Sequence, residues 1–335
     1  MIIKSITLTN FRNHFQYNLE CQEQTSLILG QNGCGKTSVL EAIYILTRGK
    51  SFRATDPDII KRGTDFYRIK LDYTNGESIT ATYDGKHKTF LKINQKFKRL
   101  PAKHKYPVVL FIPSDLNLIS HAPSRRRDYF DRIFSELDET YATNLSKYKK
   151  ALRQRNEILK QDTITKDSLF SWNLLLAKYS SALSRSRQKL ISKINSTLTP
   201  TYQSIAKNSD IIEIIYESEA LNLSEQSYLN ILEQNFSRDQ AIGHTSFGVH
   251  HDDYLFKFNH TLADGSASRG ETRSIILALK FIEANLIEDI NHQKPIILLD
   301  DVFSELDNSR RESLIDNFKN NQIILTSVEE IGKNF

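Results

Sequence analysis

Gly30-Gln31-Asn32-Gly33-Cys34-Gly35-Lys36-Thr37 fits G-x-x-x-x-G-K-[ST], the spacing of a phosphate-binding loop. The apolar run Leu27-Ile28-Leu29 leads into it. Val39, Leu40, Ala42, Ile43 and Leu46 follow at helical spacing, and Gly49 ends the run. The loop is therefore predicted to join a buried strand to a helix N-terminus. There its backbone N–H groups can turn inward around phosphate, and the helix end adds partial positive charge. Gly30, Gln31, Asn32, Gly33, Cys34, Gly35, Lys36, Thr37 and Ser38 are the candidate nucleotide contacts. Lys36 would reach the β- and γ-phosphates, and the Thr37 hydroxyl would be a ligand of Mg²⁺.

The second half of such a site is expected near Pro295-Ile296-Ile297-Leu298-Leu299-Asp300-Asp301, an apolar strand ending in two carboxylates. Asp300 is the candidate metal carboxylate opposite Thr37, and Asp301 the candidate group polarising an attacking water. Upstream, Ala267-Ser268-Arg269-Gly270-Glu271 opens an apolar helix, so Ser268 and Gly270 form a second anion-seeking helix end. Arg12, in Asn10-Phe11-Arg12-Asn13-His14, sits where a chain leaving a strand can reach over a bound nucleotide.

At 335 residues the chain has room for two domains, or for one large domain with an insertion. No apolar run reaches the roughly 20 residues of a membrane helix, and Met1 onward reads as a strand without a signal-peptide core. Cys21 and Cys34 are the only cysteines, and one lies in the phosphate loop. A disulfide framework is not expected, and a reducing cytoplasm is. The net charge of +5 is weak evidence for a nucleic-acid partner by itself.

From Asp65 the period changes to two. Phe66–Tyr73 and Ser78–Tyr83 flank Asn75-Gly76, and Asp84-Gly85 opens another turn, which together predict an antiparallel meander. No acidic residue stands between Asp84 and Asp115, while Lys86, Lys88, Lys92, Lys96, Lys98, Arg99, Lys103 and Lys105 do. That block is a candidate phosphate-tracking surface, or else a solvated face. After strand Val108–Ile112, two a/d stripes predict a helical hairpin. The first runs from Tyr141 to Leu159 and the second from Leu169 to Leu190, joined at 161–167, with Pro200 as the stop. Arg125, Arg126, Arg127, Arg153 and Arg155 are read as a DNA face or as ordinary solvated arginines. Gly248-Val249-His250-His251-Asp252-Asp253 lacks metal-site spacing and is read as a sharp loop that orders its neighbours.

The order of these motifs resembles the ABC-type ATPase heads of the SMC and DNA-repair group, and most closely the RecF family of recombination mediators. The residues carrying the resemblance include Asn10–Asn13, the phosphate loop, Ser51-Phe52-Arg53, Pro113–Leu116, Arg125–Asp128, Ala151–Asn156, Gly248–Asp253, Ala267–Glu271 and Leu298–Asp307. The implied fold class is α/β: a mixed sheet around the phosphate loop, an antiparallel meander and an inserted helical hairpin. The expected divisions are 1–112, 113–245 and 246–335. The resemblance implies ATP and Mg²⁺ as cofactors. It also implies an ATP-dependent homodimer in which Ser268, Gly270 and Asp307 of one chain complete the other's site. The remaining implications are binding to gapped or junction DNA, slow hydrolysis with Lys36 and Asp301 as catalytic residues, RecR and RecO as partners, and RecA loading. Some positions depart from the pattern. Glu271 replaces the usual glutamine, Asp301 the glutamate of many ABC ATPases, and His250-His251 the usual His-Arg. Thr326-Ser327 stands where transporters carry a histidine. A transporter subunit, a structural DNA tether and a module using ATP only as dimer glue are the alternative readings.

Overall fold

The computed structural model describes residues 2–161 and 163–328. It divides into two compact units. The first comprises residues 1–116 and 283–335, the second 117–282, and the boundary falls inside helix α9 (Arg269–Asn291).

Two sheets build the first unit. One is antiparallel, with β1 (Ile3–Phe11), β2 (His14–Glu20), β4 (Tyr67–Tyr73), β5 (Ser78–Tyr83), β6 (Lys88–Lys92) and β7 (Gln95–Phe97) in the order β2-β1-β4-β5-β6-β7. The other is parallel, with β3 (Thr25–Leu29), β8 (Val108–Phe111), β12 (Ile296–Leu299) and β13 (Ile323–Ser327) in the order β3-β13-β12-β8. Helix α1 (Lys36–Arg48) touches strands of both sheets. It is buried almost all round, from Lys36 to Thr47, as a helix without a polar face must be. It ends at Gly49, whose φ of 85° makes the left-handed cap. The one-turn helix α2 (Asp56–Ile59) and helix α10 (Asn308–Phe318) complete the unit. The mixed sheet expected from sequence is thus resolved into one antiparallel and one parallel sheet. The strand β2 was not anticipated, although Phe15, Tyr17 and Leu19 alternate with polar residues along it.

The second unit contains α3 (Pro123–Leu137), α4 (Glu139–Leu159), α5 (Lys166–Ala206), α6 (Glu225–Gln234), α7 (Phe236–Ile242) and the short, kinked α8 (Ala263–Ser266). Its sheet has the order β11-β10-β9, from β9 (Ile212–Glu217), β10 (Asp253–Phe258) and β11 (Thr261–Leu262). The division expected at 246 lies instead at 283. The cause is pairing: β10 runs antiparallel to β9, and Arg126 of α3 grips Asp253 with two 2.7 Å hydrogen bonds. Both features hold residues 246–282 in the second unit.

Helices α4 and α5 form the expected hairpin, but α5 does not stop at Pro200. It continues to Ala206 with the proline inside. A helix-interior proline costs about 3 kcal/mol, and here Leu198, Tyr202 and Ile205 are buried around it. Thr199 and Asn195 also bond the β9 backbone at Ile212 and Ile214. Packing on β9 therefore carries the helix through.

Three of the five singled-out arginines are structural. Arg126 is nearly buried, and its partner is Asp253. Arg127 donates to the Asp252 carbonyl at 2.7 Å. Arg155 is 0% exposed and holds Asp239, Asn173 and Thr245, each at 2.7 Å. The solvated or DNA-facing reading is corrected for these three, whereas Arg125 and Arg153 are exposed. The Gly248–Asp253 segment does order its neighbours. Buried Arg187 donates to the Val249 carbonyl, to Asp252 and to Asp131. Gly248 has a φ of 141°, and a Cβ there would lie 2.2 Å from the Tyr228 hydroxyl, so no other residue fits without displacement. Among the described residues, no helix is long and apolar enough to cross a membrane.

Truncating Arg155 to Met would strand the Asp239 carboxylate in the interior. The expected loss is about 3–5 kcal/mol, read as a lower urea midpoint for unfolding. A loss below about 1 kcal/mol would mean that water reaches Asp239 after all.

Candidate nucleotide site

The loop lies at the carboxyl end of β3, where parallel strands open a crevice. Gly33 and Gly35 have φ of 83° and 105°. These left-handed glycines, alternating with Cys34 and Lys36, turn successive N–H groups to one side. Ser38 N–H bonds the Gly35 carbonyl at 2.9 Å and starts α1. The β1–β2 turn holds the loop from outside. Asn13 donates to the Gly33 carbonyl at 2.7 Å, and the His14 Nε2 lies 3.1 Å from the Gly35 carbonyl. A Cβ on Gly35 would sit 2.4 Å from that ring nitrogen, so the close approach of the turn also requires glycine.

Lys36 is buried. Its Nζ donates to the carbonyls of Gly30 (2.7 Å) and Gln31 (3.2 Å) and lies 3.8 Å from Asp301. Thr37 Oγ1 donates to Asp300 Oδ1 at 2.7 Å, bringing together residues 263 positions apart. Thr326 of β13, the strand between β3 and β12, donates to the same Asp300 oxygen at 3.1 Å. Its hydroxyl also accepts from the Asp301 N–H at 2.8 Å. Burial pushes the Asp300 carboxyl above its usual pKa, against the hydrogen bonds from Thr37 and Thr326, and the adjacent Asp301 charge adds to the rise. The Thr37 hydroxyl and the Asp300 carboxylate are hard oxygen donors on one spot, a set that suits Mg²⁺.

A cleft of about 680 Å³ opens above these groups, lined by Arg12, Gly33, Lys36, Thr37, Arg53 and Asp301 among others. Its mouth is organised by a residue that the sequence reading passed over, Glu41. It is 0% exposed in the middle of α1. Arg12 grips both of its carboxylate oxygens, at 2.8 and 2.9 Å. Arg53 holds one oxygen through two nitrogens, at 2.9 and 3.1 Å, and the Ser51 hydroxyl donates at 2.6 Å. Arg12 also donates to the Asp58 carbonyl at 3.0 Å. Three of its five N–H groups are therefore used, and two remain for a ligand. The signal for Glu41 was present in the sequence as a lone carboxylate among buried helical positions, with arginines unaccounted for on either side.

Ser268 and Gly270 belong to the second unit. Ser268 is exposed and forms a capping box with Glu271: its N–H donates to the Glu271 carboxylate at 2.6 Å, and its hydroxyl accepts from the Glu271 N–H at 3.3 Å. Glutamate at 271 thus has a structural use at the helix start. Asp307 caps α10, accepting from the Arg310 N–H at 3.0 Å.

A family model described as the RecF/RecN/SMC N terminal domain matches residues 2–332. The DNA replication and repair protein RecF of Lachnoclostridium phytofermentans is 33% identical over 346 residues, covering 100% of this chain and 95% of that protein. The chain belongs to the RecF family. The RecF of Leptospira interrogans is likewise 33% identical, over 94% of this chain and 88% of its own length. Among solved structures, the recombination mediator protein RecF-ATP in the RecFOR pathway matches this RecF-family chain with a TM-score of 0.86 at 28% identity. The match covers 99% of this chain and 93% of that one. An Smc head bound to the C-winged helix domain of ScpA shares the fold, with a TM-score of 0.53 at 14% identity. The fold class read from sequence is that of this family.

Burial raises the pKa of Glu41, but hydrogen bonds from Arg12, Arg53 and Ser51 outweigh it and hold the carboxyl below its ordinary value of 4.5. A depressed folded pKa contributes stability that is complete above the ordinary value and is lost as pH falls through the folded one. Glu41→Gln is therefore expected to flatten the acid limb of a stability–pH curve below pH 4.5. An acid limb like the parent's would place that titration on another carboxyl.

Proposed function

We propose that this chain is an ATP-dependent DNA-binding protein of replication and recombinational repair, working as a dimer closed by nucleotide. The observation that carries the reading is the meeting of the phosphate loop with the Asp300–Asp301 pair, Thr37 to Asp300 at 2.7 Å. The match to a RecF-ATP structure supports ATP as the ligand. The name DNA replication and repair protein, shared by relatives matched over nearly the full chain, supports the pathway.

In this reading the loop N–H groups, Lys36 and Ser38 hold the phosphates. Lys36 leaves the Gly30 and Gln31 carbonyls to do so, exchanging neutral acceptors for a charged one. Thr37 and Asp300 hold Mg²⁺, which supplies charge neutralisation to the phosphates. Asp301 orients a water for slow hydrolysis. Arg12 turns its two spare N–H groups to the nucleotide. Ser268, exposed at the second unit's helix start, the half-buried Gly270 and Asp307 close the site of a second copy. Partners related to the RecFOR pathway, RecR and RecO, and the loading of RecA follow as the downstream part of the proposal.

Mixing Ser268→Arg protein with Lys36→Met protein tests the shared site. Each is expected to be inactive alone, and a mixed dimer keeps one intact composite site, so ATP turnover is expected to return. Demonstrated heterodimers without turnover would refute completion in trans.

The DNA surface is tested by salt. Lys88 and Lys92 of the basic block are engaged by Asp56 and Glu77, whereas Lys86, Lys96, Lys98, Arg99 and Lys103 are exposed. Changing these five to neutral residues is expected to reduce the slope of log K against log salt by up to about 0.9 per lost phosphate contact. An unchanged slope would move the DNA surface elsewhere.

A further inference from the structure

The link between β6 and β7 is two residues long, Ile93-Asn94, and both have positive φ, 50° and 57°. This is a type I′ turn, whose usual occupants are Asn-Gly, Asp-Gly or Gly-Gly. A β-branched residue is among the poorest choices for that backbone, because its Cβ substituents crowd the adjacent peptide groups. The same meander uses glycine elsewhere, with Gly76 and Gly85 at φ of 83° and 87°.

Packing does not repay the strain. Ile93 is 63% exposed and Leu91 37%. Leu91 pairs with Lys96 across the hairpin, so the two share a face, and Lys98 lies two positions further along it. On the other face Phe90 opposes Phe97, and Lys92 pairs with Gln95 while anchored on Glu77 at 3.5 Å. The hairpin therefore has a packed inner side and an outer side that is aliphatic at the tip and cationic along the stem. Strain held at an exposed position points to use rather than to stability.

We propose that this hairpin is a wedge for duplex DNA. Lys96 and Lys98 track phosphates, and Ile93, backed by Leu91, enters the minor groove and opens a base step. Charge selects the occupant: the exposed cations here come from a stretch with no acid between Asp84 and Asp115, which complements a polyanion. The aliphatic tip supplies what a purely electrostatic surface lacks, a group that gains by leaving water between partly unstacked bases. Flexible pyrimidine–purine steps open at the lowest cost and are the preferred point of entry. The proposal rests on the DNA-binding reading above.

The test uses the full-length chain and a duplex carrying 2-aminopurine at a single TA step. Ile93→Gly and Ile93→Asn suit the positive φ, so both variants are expected to melt at or above the parent temperature. Both are expected to bind the duplex roughly tenfold more weakly, the scale of one lost buried aliphatic side chain, with an unchanged salt slope because no phosphate contact is removed. The 2-aminopurine signal should rise with the parent protein and stay flat with Ile93→Gly. Lys96→Gln with Lys98→Gln should do the converse and lower the slope. Parent-like affinity and fluorescence in Ile93→Gly overturn the wedge while leaving DNA binding intact. A parent chain that fails to bind duplex with ATP and Mg²⁺ present overturns the DNA-binding reading itself. A loss of thermal stability in Ile93→Gly overturns the premise of strain.

Discussion

A helix that is apolar on every side is stable only where every side is covered, and α1 sets that condition for the first unit. The antiparallel sheet covers one flank and the parallel sheet the other. Its N-terminus is then free in one direction only, toward the carboxyl ends of the parallel strands, and the phosphate loop occupies that opening. Burial also dictates how charge is handled along the helix. Glu41 cannot meet water, so it takes two guanidiniums and a hydroxyl, and those guanidiniums become the rim of the cleft. A desolvated carboxylate in the core thus determines where positive charge stands at the surface.

The second unit solves a similar problem with buried arginines. Arg155 and Arg187 are among its largest fully or nearly fully enclosed side chains, and each joins segments far apart in sequence. Arg187 ties α5 to α3 through Asp131 and to the segment before β10 through Asp252. Planar donors with several N–H groups suit this work, because one side chain satisfies several buried acceptors at fixed angles. The result is a unit tied together by a buried polar lattice as well as by its a/d stripe.

Local signals in the chain carried the elements well. The phosphate loop, the Asn75-Gly76 hairpin, the Val108 strand and the two helices of the hairpin all have short-range patterns, and they lie where those patterns put them. What escaped was decided by distant contacts. Pro200 is a stop signal in isolation, but β9 holds the helix at Asn195 and Thr199, just ahead of it. Arg126 and Arg155 look solvated in sequence because their acids, Asp253 and Asp239, are 127 and 84 positions away. The cleft was half legible. Lys36, Thr37, Asp300 and Asp301 belong to recognisable runs, whereas His14 and the Thr326 hydroxyl acquire meaning only once β2 and β13 are placed, and Glu41 only once Arg12 and Arg53 are brought to it. The insertion was expected to span 113–245, and the pairing of β10 with β9 carries the second unit on to Ile282.

The strand order β3-β13-β12-β8 has a consequence for how the molecule is made. The outer strands come from the first 116 residues and the inner two from beyond 283, so each outer strand finds its parallel neighbour only in the last part of the chain. Gln322 closes the arrangement, bonding the backbone of Ile3 across 319 positions. On the ribosome, the amino-terminal segment must wait with half a sheet while the whole inserted unit emerges, and the inserted unit can fold during that delay. The carboxylates Asp300 and Asp301 arrive with the missing strands. A chain truncated before them would keep the phosphate loop and the antiparallel sheet but lack the two strands that join β3 to β8, so nucleotide competence waits for the residues beyond 283.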